Sequence, residues 1–256
     1  MPAPLALVTG GHKRIGAAIA AALAAKGYAV AIHGSRDADP SPELLAAFEA
    51  SSADWRGFTA DFTDPAAAAA LMAEASAHFG RPPELLVNNA STFGADRFDD
   101  VTHVDLMTHY AVNCAAPVLL SQAFAASGSQ DDNWSGRSIV NILDQRIAHP
   151  HGDQFAYTLS KIALEGATRA MARVLAPGIR VNAVAPGLTL ATEDYSDAQT
   201  ARLGERMPLG SLSTAQQIAD AVLYLAGAEG TTGQTVYVDG GAHMIAFDRD
   251  FMHMDR

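Results

Sequence analysis

A single α/β domain, a doubly wound parallel sheet with helices on both faces, is the fold class this sequence predicts, and three observations predict it. The chain has 256 residues, enough to bury a sizeable core as one domain. Apolar runs of β type alternate with alanine-rich helical stretches along its length. Such alternation calls for a parallel sheet covered on both faces. The first apolar run leads into a glycine-bearing turn, "VTGGHKRIG", just where the first helix begins.

Taken in order, strands are expected in LALVT, YAVAIH, LLVNNA, SIVNIL, IRVNAVA and finally TVYVD. The helices expected between them are one after Arg14, Pro65 to Phe79, Leu106 to Ala126, a long one from Gln154 to Ala176, and Thr214 to Ala226. Two irregular stretches remain. Ser127 to Arg137, with Asp131 and Asp132, reads as a solvated connector. Residues 186–212 follow the C-terminal end of a strand, where open α/β sheets bind ligands, and read as a substrate loop. No internal repeat interrupts the single domain, residues 1–256.

The net charge of −11 argues against nucleic acid and anionic membranes as partners, since both need a continuous basic surface. The run IGAAIAAALAA is too short to span a bilayer, and the N-terminus lacks the basic residues of a signal peptide, so a cytoplasmic protein is expected. Cys114 is the single cysteine, which excludes an internal disulfide and reads as a small packed side chain rather than a nucleophile. His149 and His151 in "HPH" lack a carboxylate or cysteine at ligand spacing, so no metal is expected.

Gly10 leaves the first strand and Gly16 opens the first helix, so backbone N–H groups there can face a pyrophosphate. An ordinary strand-to-helix turn is the bland alternative. After the second strand, Ser35 and Arg36 stand where the ribose of an adenosine would lie. A hydroxyl and a cation suit a 2′-phosphate and favour NADP(H), whereas NAD sites end this strand in a carboxylate. Asp37 is the counter-evidence, about one turn too late.

Tyr157 and Lys161 in "YTLSK" lie four residues apart, hence on one helix face. A tyrosine with a pKa of about 10 becomes a better acid and base when a fixed ammonium stabilises its phenolate. A surface tyrosine beside a surface lysine is the bland alternative. Asp144 ends a strand thirteen residues earlier and would emerge at the same sheet edge as Gly10 and "NNAS".

The set "TGGHKRIG", "NNAS" at Asn88 to Ser91, "YTLSK" and "RVNAVAPGLT" resembles the short-chain dehydrogenase/reductase family over nearly the whole chain. The resemblance implies a Rossmann fold and hydride transfer with a nicotinamide cofactor. It implies Tyr157 as acid and base, Lys161 on the nicotinamide ribose and lowering the tyrosine pKa, and Asn113 supporting a proton-relay water. It also implies an NADP(H) site of Gly10, Arg14, Ile15, His33, Ser35, Arg36, Asp61, Asn89, Ala90, Ser91, Tyr157, Lys161, Pro186 and Gly187. Asp61 would meet the adenine, while Pro186 and Gly187 would border the nicotinamide.

Two positions depart from the family's pattern: Asp144 replaces a serine that polarises a carbonyl, and Arg14 replaces the middle glycine of the turn. The pteridine reductase branch, which includes the bacterial dihydromonapterin reductases, is similar at both. A carboxylate can accept from the amino group and ring N–H of a pterin, or relay a proton when neutral. The implied substrate residues are Arg14, Ser91, Phe93, Asp144, Tyr157 and Leu188, with Phe93 stacking on the pterin or else anchoring its loop on the core. The expected function is NADPH-dependent reduction of a pterin-like substrate. A carbonyl reductase of another small molecule and a non-catalytic NADP-binding protein are the alternatives.

The family implies a homo-oligomer, with a tetramer favoured. The tail, residues 242–256, carries Met244, Ile245, Phe247, Phe251 and Met252. It is expected to pack on a neighbouring subunit, with Arg256 approaching that subunit's active site.

Overall fold

The computed structural model describes residues 2–128, 136–189 and 195–254. Seven strands form one parallel sheet: β1 (Leu5–Val8), β2 (Ala29–Gly34), β3 (Trp55–Thr59), β4 (Leu85–Asn88), β5 (Arg137–Ile142), β6 (Ile179–Pro186) and β7 (Thr235–Val238). Their order is β3-β2-β1-β4-β5-β6-β7, so the chain reverses its winding between β1 and β4. In open sheets of this kind, ligands bind at that switch point, beyond the C-terminal strand ends.

Successive residues of each inner strand point to opposite faces, and both faces are apolar. Ala6, Val8, Val30 and Ile32 pack beneath α1 (Arg14–Ala25), α2 (Pro42–Ser51) and α8 (Ala215–Gly227). Leu5, Leu7, Ala29 and Ala31 pack beneath α3 (Ala67–Phe79), α5 (Ala116–Ser127) and α6 (Phe155–Leu175). Parallel strands covered on both sides need this continuous apolarity, and the runs read from the sequence coincide with six of the seven strands.

Three elements fall outside the sequence pattern. The edge strand β3, WRGFT, is only half buried and carries Arg56 and Gly57, so it lacks a continuous apolar run. Helix α2 is short and declared mainly by its start: Ser41 caps it by accepting from the Leu44 N–H, and Pro42 occupies the first turn. Helix α7 (Asp197–Arg206) rises inside the stretch 186–212 that reads as irregular, capped by Ser196. The single helix expected from Leu106 to Ala126 is three pieces: α4 (His103–Tyr110), a π-helical turn Ala111–Ala115, and α5.

Part of the tail packs within its own chain. Phe251 is buried with Leu203 of α7 and Met207 just after it, and Phe247 meets it edge-on at 5.0 Å. The Gln199 amide donates to the Met254 carbonyl at 2.6 Å. Phe247 and Phe251 thus find cover within their own chain, on a surface of α7 that the sequence pattern does not reveal, while Met244 stays 64% exposed. Arg256, like Asp131 and Asp132, lies outside the described residues.

Candidate active site

The turn after β1 is built around Thr9. Its hydroxyl accepts from the Asn89 and Ala90 N–H groups at 2.9 and 3.0 Å, and the Asn89 amide donates to the Thr9 and Gly10 carbonyls at 2.9 and 3.0 Å. The turn is thereby tied to the residues after β4. A side chain at Gly16 would run into the Gly10 carbonyl and the Asn89 amide, so only glycine allows this approach.

His33, at the end of β2, locks the turn from below. The Gly10 N–H donates to its Nδ1 at 3.2 Å, which requires Nε2 to carry the proton toward the Ala60 carbonyl at 2.9 Å. Burial holds the His33 pKa below its ordinary value, in keeping with this neutral tautomer. Stacking on Phe62 at 4.4 Å fixes the ring plane.

Arg14 adopts φ +55°, the left-handed region that glycine enters freely and other residues enter at a cost of about 1–3 kcal/mol. This is the position where the family's pattern has glycine. Lys13 and Arg14 also put two cations at the positive end of the α1 dipole, with no acidic residue in the first turn. An anion beside them relieves that repulsion, so the turn fits a pyrophosphate. Ile15 is half-buried next to Arg14 and packs on the core.

Ser35 and Arg36 are exposed beyond β2, as a 2′-phosphate site requires. Asp37 is spent on its own turn, its carboxylate accepting from the Asp39 N–H at 2.8 Å. Asp61 accepts from the Thr63 backbone and hydroxyl at 3.0 and 2.8 Å, which holds its pKa low, with Arg36 adding a weaker pull. Arg36 and Asp61 therefore flank the same edge.

On α6, Tyr157 and Lys161 are both buried. The Tyr157 hydroxyl donates to Asp144 Oδ2 at 2.9 Å. Asp144 follows the end of β5, and its Oδ1 accepts from the Arg146 N–H at 2.9 Å. Lys161 Nζ donates to the Ile142 carbonyl at 2.8 Å and stands 5.6 Å from the Tyr157 ring centre. Lys161 is not among the causes that set the Tyr157 pKa here. Burial, followed by the Asp144 charge, pushes Tyr157 well above its ordinary value, because the carboxylate touches the hydroxyl while the ammonium is turned to a backbone carbonyl. Burial in turn lowers Lys161 to about 8.

Asn113 is fully buried in the π-helical turn, a feature frequent at functional sites. Its carbonyl accepts from Ser91 and from the Thr92 N–H at 3.1 and 2.8 Å, and its amide donates to Thr92 and Ser160 at 2.9 and 3.0 Å. In this structure it braces the loop of Ser91 against α6. Phe93 on that loop is 53% exposed and meets Tyr157 edge-on at 4.8 Å, so it is not an anchor on the core. Pro186 and Gly187 close the far side, where a side chain at Gly187 would come within 2.8 Å of Asp239. Leu188 packs with the α7 cluster.

The structure thus gathers the turn residues, the Asn89–Ser91 loop, Phe93, Asp144, Tyr157, Lys161 and Pro186 at the C-terminal edge of the sheet. Sequence reasoning missed Arg146. It is 6% exposed and contacts Asp144, Gln154 and Asp250. Among the described residues no cluster of three His, Cys, Asp or Glu side chains could hold a metal ion, and no helix is long and apolar enough to cross a membrane.

A doubly wound sheet with a phosphate-type turn at its switch point, and a buried tyrosine–lysine pair beside it, defines an oxidoreductase class. The chain belongs to the short-chain dehydrogenase/reductase family. The family profile described as "Enoyl-(Acyl carrier protein) reductase" matches residues 11–243. Pteridine reductase 1 of Leishmania tarentolae is 34% identical, over 93% of this chain and 96% of that protein. The 3-oxoacyl-[acyl-carrier-protein] reductase FabG of Pseudomonas aeruginosa is also 34% identical, over 94% and 97%. Among solved structures, FolM alternative dihydrofolate reductase 1 from Brucella canis, complexed with NADP, superposes with a TM-score of 0.87. It is 36% identical, with 96% of each chain covered.

Proposed function

We propose that the protein is an NADPH-dependent reductase of a pterin-like substrate. The observation that carries this reading is the Asp144–Tyr157 hydrogen bond beneath the exposed ring of Phe93. When bound, the nicotinamide supplies a hydride to the carbon of a C=N bond, and the ring nitrogen gains a proton. The protein's residues supply the rest.

Tyr157 holds the transferable proton: its raised pKa keeps the hydroxyl protonated until a developing ring-nitrogen anion takes the proton. Asp144 shares that hydrogen bond and presents carboxylate oxygens to substrate N–H groups, which a serine in its place would not do. Phe93 offers an apolar face for a flat heterocycle, and Arg14 a cation between the phosphate turn and substrate. Ser35 and Arg36 support preference for a 2′-phosphate. NADP in the Brucella canis FolM structure, and the names of that protein and the Leishmania tarentolae reductase, support cofactor and substrate class.

A second reading, reduction of a carbonyl, is favoured by the equal identity to the Pseudomonas aeruginosa 3-oxoacyl reductase. The test is Asp144→Ser, assayed by NADPH absorbance on a dihydropterin, on dihydrofolate and on a simple ketone. The pterin reading expects a large loss on the dihydropterin with ketone activity held or raised. Undiminished dihydropterin reduction in Asp144→Ser, or a wild type inert to every pterin, leaves only the carbonyl reading.

A homo-oligomer, a tetramer by family resemblance, is part of the same reading. Val104, Met107 and Tyr110 stand exposed along α4, an apolar stripe that a second copy would cover. Sedimentation that gives a monomer would remove it.

A further inference from the structure

Arg146 is buried beside Asp144 and Tyr157, yet none of the chemistry above uses it. Its backbone N–H and its Nε both face Asp144 Oδ1, at 2.9 and 3.4 Å. Its Nη1 donates to Gln154 Oε1 at 3.2 Å, and its Nη2 to Asp250 Oδ2 at 2.7 Å. The guanidinium carbon lies 5.0 Å from the Tyr157 ring centre. Every edge of the planar fork is committed, so the side chain has one geometry.

Asp250 is as firmly held. Its Oδ1 caps the turn at Met252 by accepting that N–H at 2.9 Å, and its own N–H donates to Asp153 Oδ2 at 3.0 Å. Arg249 also reaches Asp153, at 3.4 Å. Gln154, in the left-handed region at φ +47°, immediately precedes α6 and donates its side-chain amide to Met252. The tail and the entry to the tyrosine-bearing helix are therefore one stitched unit, and Arg146 joins it to Asp144. Burial opposes the guanidinium charge, but Asp144, Tyr157 and Asp250 outweigh it and hold the Arg146 pKa above its ordinary value.

We propose that Arg146 is a positioning residue for Asp144: anchored by Asp250 of the tail, it occupies one carboxylate oxygen and so dedicates the other to Tyr157 and the substrate. The inference rests on the reading that Asp144 works with Tyr157. It assigns the tail a role in its own subunit's site. The charged and titratable groups that face this pair are Asp144 itself, Tyr157 and Lys161 of α6, His151 and Asp153 of the preceding loop, and Asp250 of the tail. His151 is kept neutral by burial and then by the Arg146 charge, so it adds no charge of its own near neutral pH.

The two ends of the relay bear opposite charge, which gives a test with opposite signs. Arg146→Met removes a cation from Asp144, and the titration that limits dihydropterin turnover should move to higher pH by about one pH unit or more. Asp250→Asn removes an anion from the same network, and that titration should move to lower pH. Both should lower kcat about tenfold or more while leaving NADPH affinity, read by fluorescence, within about twofold, since neither residue lies on the cofactor turn. Arg146→Lys keeps the charge and loses the fork, so it should restore the pH position but not the full kcat.

Superimposable pH profiles, or shifts in the same direction, would overturn the proposal, because a merely structural role lowers rates without opposed shifts. If Arg146→Met does not fold, Asp250→Asn and Arg146→Lys decide by the same criteria. Asp144→Ala separates the two levels: unchanged dihydropterin turnover there ends the reading of Asp144 and this inference with it. Lost turnover there, with unmoved profiles in the other variants, ends this inference alone.

Discussion

Asp144 divides its carboxylate between two partners, the Tyr157 hydroxyl at Oδ2 and Arg146 at Oδ1. A serine at the same place donates one hydrogen bond; this carboxylate accepts several, which suits the N–H-rich pterin proposed as substrate. Tyr157 then differs from a tyrosine activated by direct contact with lysine, because its proton is held more tightly and is released only to a strong acceptor. Tyr157→Phe should abolish turnover while leaving NADPH binding nearly intact, since the hydroxyl moves a proton and does not hold the cofactor. General acid–base groups contribute about 10²–10⁴-fold, so a loss below tenfold in single-turnover hydride transfer would show another proton donor. Arg36 is argued in the same way. It is exposed just beyond β2, with Asp37 turned into its own loop, so under the proposed cofactor site Arg36→Glu should reverse or erase a preference for NADPH over NADH. Equal affinities of the wild type for both cofactors, by fluorescence titration, would remove the 2′-phosphate argument.

The phosphate turn shows what an element keeps at a cost. A non-glycine residue at φ +55° and two cations at a helix N-terminus are both unfavourable in isolation, which points to function at Arg14. Arg14→Gly should therefore leave stability unchanged or raise it by about 1 kcal/mol, while raising KM for NADPH or for the pterin. A thermal melt and two KM determinations check it; lower stability with unchanged KM values would mean the arginine is structural. Much of this element was legible in the sequence, because glycine spacing and strand-to-helix order are local properties. So were the inner strands, whose apolar runs follow from burial on both faces, and the i, i+4 pair of Tyr157 and Lys161. The edge strand β3 and helix α7 were not, since a half-buried edge carries no continuous run and α7 is mostly polar on its surface. Arg146 was invisible for another reason. Its partner Asp250 is 104 residues away, and only the fold brings an unremarkable "DQR" against an unremarkable "DRD".

At the scale of the whole molecule, the site stores electrostatic cost that the fold must offset. Lys161 is buried, and its pKa falls from the ordinary 10.5 to about 8, first because of burial. Below about pH 8 the lysine is charged in both the folded and unfolded protein, and the full cost of burying the charge is present. As pH rises past 8, the folded protein releases the proton while the unfolded chain keeps it until about 10.5, so the cost fades over that window. The gap corresponds to at most about 3 kcal/mol. Tyr157 acts in the opposite sense above pH 10: its raised pKa means that the folded protein holds its proton while the unfolded chain loses it, which lowers stability there. The two contributions separate in a comparison of wild type with Lys161→Met, because Tyr157 is present in both. In denaturant unfolding at a series of pH values, the stability of Lys161→Met minus that of wild type should be highest and flat below pH 8. It should then fall steadily between pH 8 and 10.5, by up to about 3 kcal/mol. Loss of the bond to the Ile142 carbonyl displaces the whole curve without changing its slope. The same variant should lose turnover at every pH. A difference curve that is flat from pH 7 to 10.5 would show that Lys161 keeps an ordinary pKa in the folded protein, and that its burial carries no cost for the site to use.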